Sequence, residues 1–247
     1  MSGHSKWNNI KRKKEKTDAA KAKIFTKIGR EISVIVKNGG ANPNENSKLK
    51  DAIAKAKAAN VPNDNIERII KKAAGDGEAN NYEELIYEGY GPCGVAVVVE
   101  TLTDNRNRTA GEMRHYFDKC GGNLGQSGSV MFMFDRKGII RIESEGLDED
   151  TVMEDALDAG ADDFNYDGDV FEISTDPNTL GGVRDALEEK GYSFISAEVE
   201  YIPQTMTAID DEETSLKMEK LIDMLEENDD VQAVWHNWDM PAEAEEE

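Results

Sequence analysis

The residues best suited to chemistry stand at the start of the chain. Gly3-His4-Ser5-Lys6-Trp7 is followed by Lys11, Arg12, Lys13, Lys14 and Lys16. Cations at this density can neutralise phosphates and release counterions, a strong and salt-sensitive source of affinity. Trp7 offers a ring that can stack on an unpaired base. The plainer alternative is a solvated tail with Trp7 laid on a neighbouring helix; the clustering favours binding. A second candidate is Thr103-Asp104-Asn105-Arg106-Asn107-Arg108-Thr109, between a strand and a helix. Arg106 and Arg108 sit where cations oppose the helix dipole, so local helix stability does not explain them. Two readings stand side by side: they bind an anion beside free helix N–H groups, or they pair with nearby acids.

Other motif matches fail on context. Gly89-Tyr-Gly91-Pro-Cys-Gly94 fits G-x-G-x-x-G, but it precedes a strand and contains Pro92, so a turn is expected rather than a dinucleotide site. Asp163-Phe-Asn165-Tyr-Asp167-Gly168 resembles half a calcium loop, yet its twelfth position is Ser174 instead of a bidentate Glu. Gly121–Gly128 is glycine-rich without the Gly-Lys-Ser/Thr of a phosphate loop. It reads either as a helix cap running into a loop or as a close backbone contact with a partner. His4, His115 and His236 lack metal-ligand spacing, and no Ser, Cys or Thr stands in a nucleophile context. The expectation is therefore no catalytic residue, no metal and no cofactor. A metal-dependent hydrolase would need carboxylates converging on one cleft, and the acids are dispersed.

The electrostatic pattern of the whole chain supports the first candidate. Over 247 residues the net charge is −22. Residues 1–75 hold 18 Lys+Arg against 7 Asp+Glu, while residues 76–247 hold 11 against 44. A basic head on an acidic body points to a polyanion partner for the head and a separate, possible protein partner for the acidic part. Charge alone fits DNA and ribosomal RNA equally. No apolar run approaches the ~20 residues of a membrane span, no apolar leader follows the first residues, and two cysteines make no disulfide framework. No membrane partner and a cytoplasmic location are expected.

The elements that must position these residues can be read from periodicity. Ile24, Ile28, Ile32 and Ile35 mark a helix from about Thr17 to Lys37; a second runs from Ser47, taken as its cap, to Ala59; Pro62 and Asn63 open a third, ending at Gly75. Lys48, Lys50, Lys55, Lys57, Arg68, Lys71 and Lys72 decorate this bundle. Gly94–Leu102, nearly all apolar, predicts a strand covered on both faces. A helix carrying Ala110, Met113, Phe117 and Cys120 follows, then a strand at Gly128–Phe134. Residues 136–202 show the order βαββαβ, with an Asp167-Gly168 hairpin turn of type I′ and a last strand alternating Ile195, Ala197, Val199 and Tyr201 with Ser196, Glu198 and Glu200. A short strand (Thr205–Ile209), a helix (Glu212–Glu227) and a strand (Val231–Trp238) complete a second such unit. The fold class is thus α+β: an N-terminal three-helix domain (1–78), then two ferredoxin-like α/β domains. One is discontinuous (79–135 and 203–247, with an acidic tail), and the other (136–202) is inserted in it.

Five segments resemble the YebC/PmpR family: GHSKW at Gly3–Trp7 with the IKRKK after it, NVPNDNIERIIKKA at Asn60–Ala73, YEGYGPCGVAVVVE at Tyr87–Glu100, TDNRNRT at Thr103–Thr109, and GGNLGQSGSV at Gly121–Val130. The resemblance implies a helical domain and two α/β domains, one inserted in the other. It also implies a non-enzymatic, bacterial, cytoplasmic regulator. Members are described as transcriptional regulators that bind DNA. Similar proteins act in translation, among them the mitochondrial translational activator of cytochrome c oxidase and bacterial relatives linked to ribosomes stalled on proline-rich stretches. The candidate nucleic-acid-binding set is His4, Ser5, Lys6, Trp7, Lys11, Arg12, Lys13, Lys14, Arg106 and Arg108.

Overall fold

The computed structural model describes residues 18–75 and 82–240. Helices α1 (Asp18–Gly39), α2 (Ser47–Ala58) and α3 (Asn63–Ala74) come first. Ile28, Ile32 and Val36 of α1 meet Leu49, Ala52 and Ala56 of α2 and Ile66 of α3 in one apolar cluster. Ile24, placed on that stripe by its spacing, is exposed, because the packed surface of α1 begins at Phe25. The cap of α2 is Asn46, one residue before Ser47: its side-chain oxygen accepts the Leu49 N–H at 3.2 Å, and its amide donates to Gly40 O at 2.9 Å.

The first sheet has the order β3-β1-β2-β9. Its strands are β1 (Glu83–Tyr90), β2 (Ala96–Thr103), β3 (Asn123–Leu124) and, after a long excursion, β9 (Val231–His236). Helix α4 (Arg106–Lys119) joins β2 to β3. Because β1 is antiparallel to both β2 and β3, those two run parallel around it. Residue patterning predicts no strand at Glu83–Tyr90 and one at Gly128–Phe134. In the structure the former is a full strand, and only Phe134 of the latter is in a strand. Acidic Glu83-Glu84, Glu88 and Gly89 hide the β signal of β1, and its pairing with apolar β2 supplies it. All of Val95–Val99 is buried, as a two-sided strand requires.

The second sheet has the order β5-β6-β4-β7 and carries the ferredoxin-like plan. It comprises β4 (Phe134–Glu143), helix α5 (Glu149–Asp158), β5 (Asp163–Tyr166), β6 (Val170–Thr175), helix α6 (Leu180–Glu189) and β7 (Ser196–Pro203). In the first sheet β1 occupies the place that β6 holds here, entering from the start of the unit rather than by a hairpin return. The β5–β6 turn spans Asp167–Val170 with a positive φ of 97° at Gly168 only, the pattern of type II′ rather than I′. Glu200, assigned by alternation to the polar face of β7, is fully buried. Arg141 donates to it at 2.6 and 3.2 Å and pairs with Glu172 at 2.7 Å. The remaining elements are β8 (Thr207–Ala208), helix α7 (Glu212–Glu227) and β10 (Trp238–Asp239), which pairs in parallel with β8.

Two compact units result. Among the described residues, 82–135 and 202–240 form one, and 18–75 and 136–201 form the other. In the first, Met113 and Phe117 of α4 and Met218, Leu221 and Leu225 of α7 close over Val97 and Val99 of β2. In the second, Val152, Ala156, Val183 and Leu187 of α5 and α6 cover Ile140, Ile142, Phe171 and Ile173.

Candidate nucleic-acid interface

His4, Ser5, Lys6, Trp7, Lys11, Arg12, Lys13 and Lys14 lie outside the described residues. The cations of α2 and α3 divide into two groups. Lys50 pairs with Asp185 of α6, and Lys55 pairs with Glu31 of α1 at 3.2 Å and Glu198 of β7 at 3.3 Å. Burial alone would lower the Lys55 pKa, but Glu198 and Glu31 outweigh it and hold the amine charged. In the reverse sense, Arg184 of α6, almost fully buried, donates to Asp51 of α2 at 2.7 Å. These pairs tie α2 to the inserted region. Lys48, Lys57, Arg68, Lys71 and Lys72 remain exposed, with Arg68 donating to Asn65 at 2.8 Å. Three of the five lie on α3, which follows α2 after a four-residue turn containing Asn60 at φ 58°.

Arg106 and Arg108 open α4, whose cap Asn105 accepts the Arg108 N–H at 3.1 Å. They have different fates. Arg108 Nη2 donates to Asp230 at 2.6 Å and to Asp104 at 2.9 Å. Thr109 and Thr103 hydroxyls donate to the same Asp230 oxygen at 2.8 and 3.1 Å. Burial pushes the Asp230 pKa up, but these donors prevail and hold it below the usual carboxylate range. Arg108 therefore follows the reading in which it pairs with acids. Arg106 is exposed and makes no ion pair among the described residues. Asp230 was not singled out from the sequence: it stands more than a hundred residues from its partners in an unremarkable run of acids.

The glycine-rich segment is organised by another acid that sequence reasoning passed over. Glu88 on β1 is buried and accepts N–H groups from Gly128 (2.6 Å), Val130 (2.9 Å) and Met131 (2.8 Å). These donors are thus spent on the protein itself. Every glycine here has an internal reason. Gly121 and Gly128 have φ of +81° and +84°, a Cβ on Gly122 would lie 2.3 Å from Tyr90 O, and one on Gly125 would lie 2.3 Å from Ser129 Oγ. The glycine count thus gives no argument for a partner. An acid well inside the strand, Glu88 between Tyr87 and Gly89, was the available signal.

The G-x-G-x-x-G run is the β1–β2 connection: Gly91 abuts Met218, and Cys93 and Gly94 have positive φ. His115 is exposed on α4; His236 is buried, and desolvation depresses its pKa to about 4. No group of three His, Cys, Asp or Glu suited to a metal occurs among the described residues, and none of their helices is long and apolar enough to cross a membrane. By the strand register, Thr103 and Glu88 are separated by five residues of ladder, about 17 Å. The arginine cluster and the glycine loop are therefore distinct places on one unit.

A chain with this order of helices and sheets matches known proteins along nearly its whole length. The family model "TACO1/YebC protein N-terminal domain" matches residues 5–76, and "TACO1/YebC second and third domain" matches residues 82–238. The chain belongs to the YebC family. It is 62% identical over 239 residues to a "Probable transcriptional regulatory protein" of Acetivibrio thermocellus, covering 96% of this chain and 99% of the relative. A protein of the same name from Ruminiclostridium cellulolyticum is 60% identical over 248 residues, all of both chains. The crystal structure of a conserved hypothetical protein from Aquifex aeolicus superposes with a TM-score of 0.83 at 46% identity, covering 94% of this chain and 96% of that one.

Proposed function

We propose that this chain is a non-enzymatic, cytoplasmic transcriptional regulator that binds DNA through its basic N-terminal domain, residues 1–78, with the arm His4–Lys14 and Arg106 as contacts. The discontinuous domain (79–135 and 203–247) and the inserted domain (136–202), both acidic, are directed to a protein partner or set orientation. The observation that carries the reading is charge segregation that survives folding. Residues 1–75 bear a net +11, and after the internal pairings Lys48, Lys57, Arg68, Lys71 and Lys72 still face solvent. The names of the relatives support regulation of transcription. The short-linked pair α2–α3, with the cations of α3 outward, is a form that can lie against a duplex. A second reading, an RNA-binding translation factor on the ribosome that relieves stalls on proline-rich stretches, draws support from Trp7 beside the basic arm, since unpaired bases stack on such rings.

The test sets a DNA-fragment shift assay beside cosedimentation with ribosomes, each across a salt series, with the whole chain and a variant lacking residues 1–16. DNA affinity should fall steeply with salt, and the shortened variant should lose most binding at unchanged melting temperature. A flat salt response, or undiminished binding by the variant, rejects the reading. Ribosome binding without DNA binding selects the translation alternative.

A further inference from the structure

Two exposed apolar side chains, Ile86 (42% exposed) and Phe132 (70%), stand on either side of Glu88. Tyr87 packs against the core beneath α4 and α7, and a Cβ on Gly89 would lie 2.7 Å from the Phe117 ring, so Ile86 and Glu88 face the other side of the first sheet. Phe132 follows Met131, whose N–H the Glu88 carboxylate accepts at 2.8 Å. The residue after it is fixed as well: Met133 N–H donates to Val130 O at 2.9 Å, and Met133 O accepts the Gln204 N–H at 2.9 Å. The fold therefore holds this ring outward. Elsewhere an exposed apolar residue has a local partner or stands singly, which needs no explanation. Tyr166 lies against Phe171 with ring centroids 4.9 Å apart, and Leu157 and Leu216 are lone residues on their helices.

Charge selects what can cover this pair. Glu84 precedes Ile86 by two residues on the same face, and Glu100 is opposite Ile86 in the ladder. The four strands of the sheet carry Glu83, Glu84, Glu88 and Glu100 and no lysine or arginine. A polyanion is repelled here. The chemistry that fits is a pair of apolar side chains flanked by cations. Residues 1–17, 76–81 and 241–247 of the chain lie outside the described structure. The last two stretches contain no Lys or Arg and no large apolar side chain. The first contains Trp7 and Ile10 among Lys6, Lys11, Arg12, Lys13, Lys14 and Lys16, with Glu15 as its single acid.

We propose that the N-terminal arm docks on this surface of its own chain when no nucleic acid is bound, with Trp7 and Ile10 on Ile86 and Phe132 and the lysines beside Glu84 and Glu100. Trp7 stands 11 residues before Asp18. That tether spans about 36–40 Å when extended, against a radius of gyration of about 18 Å for a chain of this length, so the arm can reach across the molecule. A covalent tether gives a local concentration on the order of millimolar, and a small patch then suffices where a free partner would need a larger one. Any polyanion must draw the arm away from these acids before gripping it. The surface thereby sets how readily the arm is available, whichever nucleic acid it meets, and the docking does not rest on the DNA-binding reading.

The test is limited trypsin digestion of the full chain at low salt without nucleic acid, following cleavage at Lys13, Lys14 and Lys16. The wild type is compared with Trp7→Ala plus Ile10→Ala, with Ile86→Thr plus Phe132→Ser, and with all four together. A synthetic peptide of residues 1–17 gives the unprotected rate, and melting temperature is followed in parallel. Each pair should speed cleavage about fivefold or more, equivalent to ~1 kcal/mol of docking. The four together should add nothing to either pair, because both remove the same contact. A wild-type arm cut as fast as the peptide overturns the proposal. So does a patch variant that melts normally and keeps its arm protected, or effects of the two pairs that multiply. Protection that fades on dilution overturns docking within one chain and assigns the arm to a second copy. Amide resonances of Ile86, Glu100 and Phe132, compared between the full chain and one lacking residues 1–16, give a reading that needs no patch variant. They should shift when the arm is removed, and unchanged resonances overturn the proposal.

Discussion

At Asp230, Arg108, Thr103 and Thr109 converge on a single carboxylate oxygen, so one acid anchors the start of α4 to the start of β9. The spacing of Thr103–Thr109 revealed a loop leading into a helix and two arginines without a local reason. It could not reveal which arginine was already taken, because the partner arrives through folding from a distant stretch. His236 shows the same limit. In sequence it is one of three scattered histidines; in the fold it is buried, and desolvation lowers its pKa to about 4 in spite of Glu226 nearby. The unfolded chain takes up a proton below pH ~6.5 that the folded chain refuses until about pH 4. Folding stability should therefore be unaffected by His236 above pH ~6.5 and fall as pH drops towards 4, by up to ~3 kcal/mol. Urea titrations at pH 7.0, 5.5 and 4.5 check this: His236→Gln should flatten the decline, and an unchanged profile would mean that the imidazole is hydrated.

Glu88 shows how an element can depend on one side chain. The stretch Gly128–Met131 has almost no secondary structure of its own; three of its four backbone donors end on that carboxylate, and Ser129 N–H donates to Gln126 O. Expecting a strand there was reasonable on apolar composition, since Val130, Met131, Phe132, Met133 and Phe134 run together. The ladder position was already filled by β1, and the apolar residues instead make a 3₁₀ turn that leaves Phe132 70% exposed. Long helices were far easier to read: α1, α3, α4 and α7 lie close to where periodicity puts them, because a buried stripe at 3.6-residue spacing is a local signal. Replacing Glu88 by Ala strips three partly buried N–H groups of their acceptor at once. It should destabilise the unit by about 2–4 kcal/mol and speed hydrogen exchange at Gly128, Val130 and Met131. Wild-type exchange at those amides would show that the loop is held by other means.

Across the molecule, charge is segregated along the chain, but folding spends part of it. Lys50 and Lys55, counted from sequence as surface decoration of the bundle, are engaged by Asp185 and Glu198, and Arg184 reaches back to Asp51. Of the cations of α2 and α3, folding engages Lys50 and Lys55 and leaves Lys48, Lys57, Arg68, Lys71 and Lys72 exposed, three of these five on α3. Arg184 is the buried member of the engaged set. Arg184→Ala removes both the pairing with Asp51 and the packing of its stem, and should cost about 1–3 kcal/mol. Limited proteolysis should then cut residues 18–75 sooner than in the wild type; equal rates would show that apolar contact alone holds α2 in place.

Much of this protein is written locally in its residues. The three amphipathic helices, the βαββαβ order of residues 136–202, the two-sided strand Val95–Val99 and the separation of positive from negative charge all depend on neighbours within a turn or a strand, and such patterns are visible in a linear string. The placement of β1 between β2 and β3, the capture of Arg108 by Asp230 and the burial of Glu200 against Arg141 depend on contacts between segments far apart in the chain. Those contacts come into being when burial and hydrogen bonding are satisfied together, and no local pattern records which distant group will meet which.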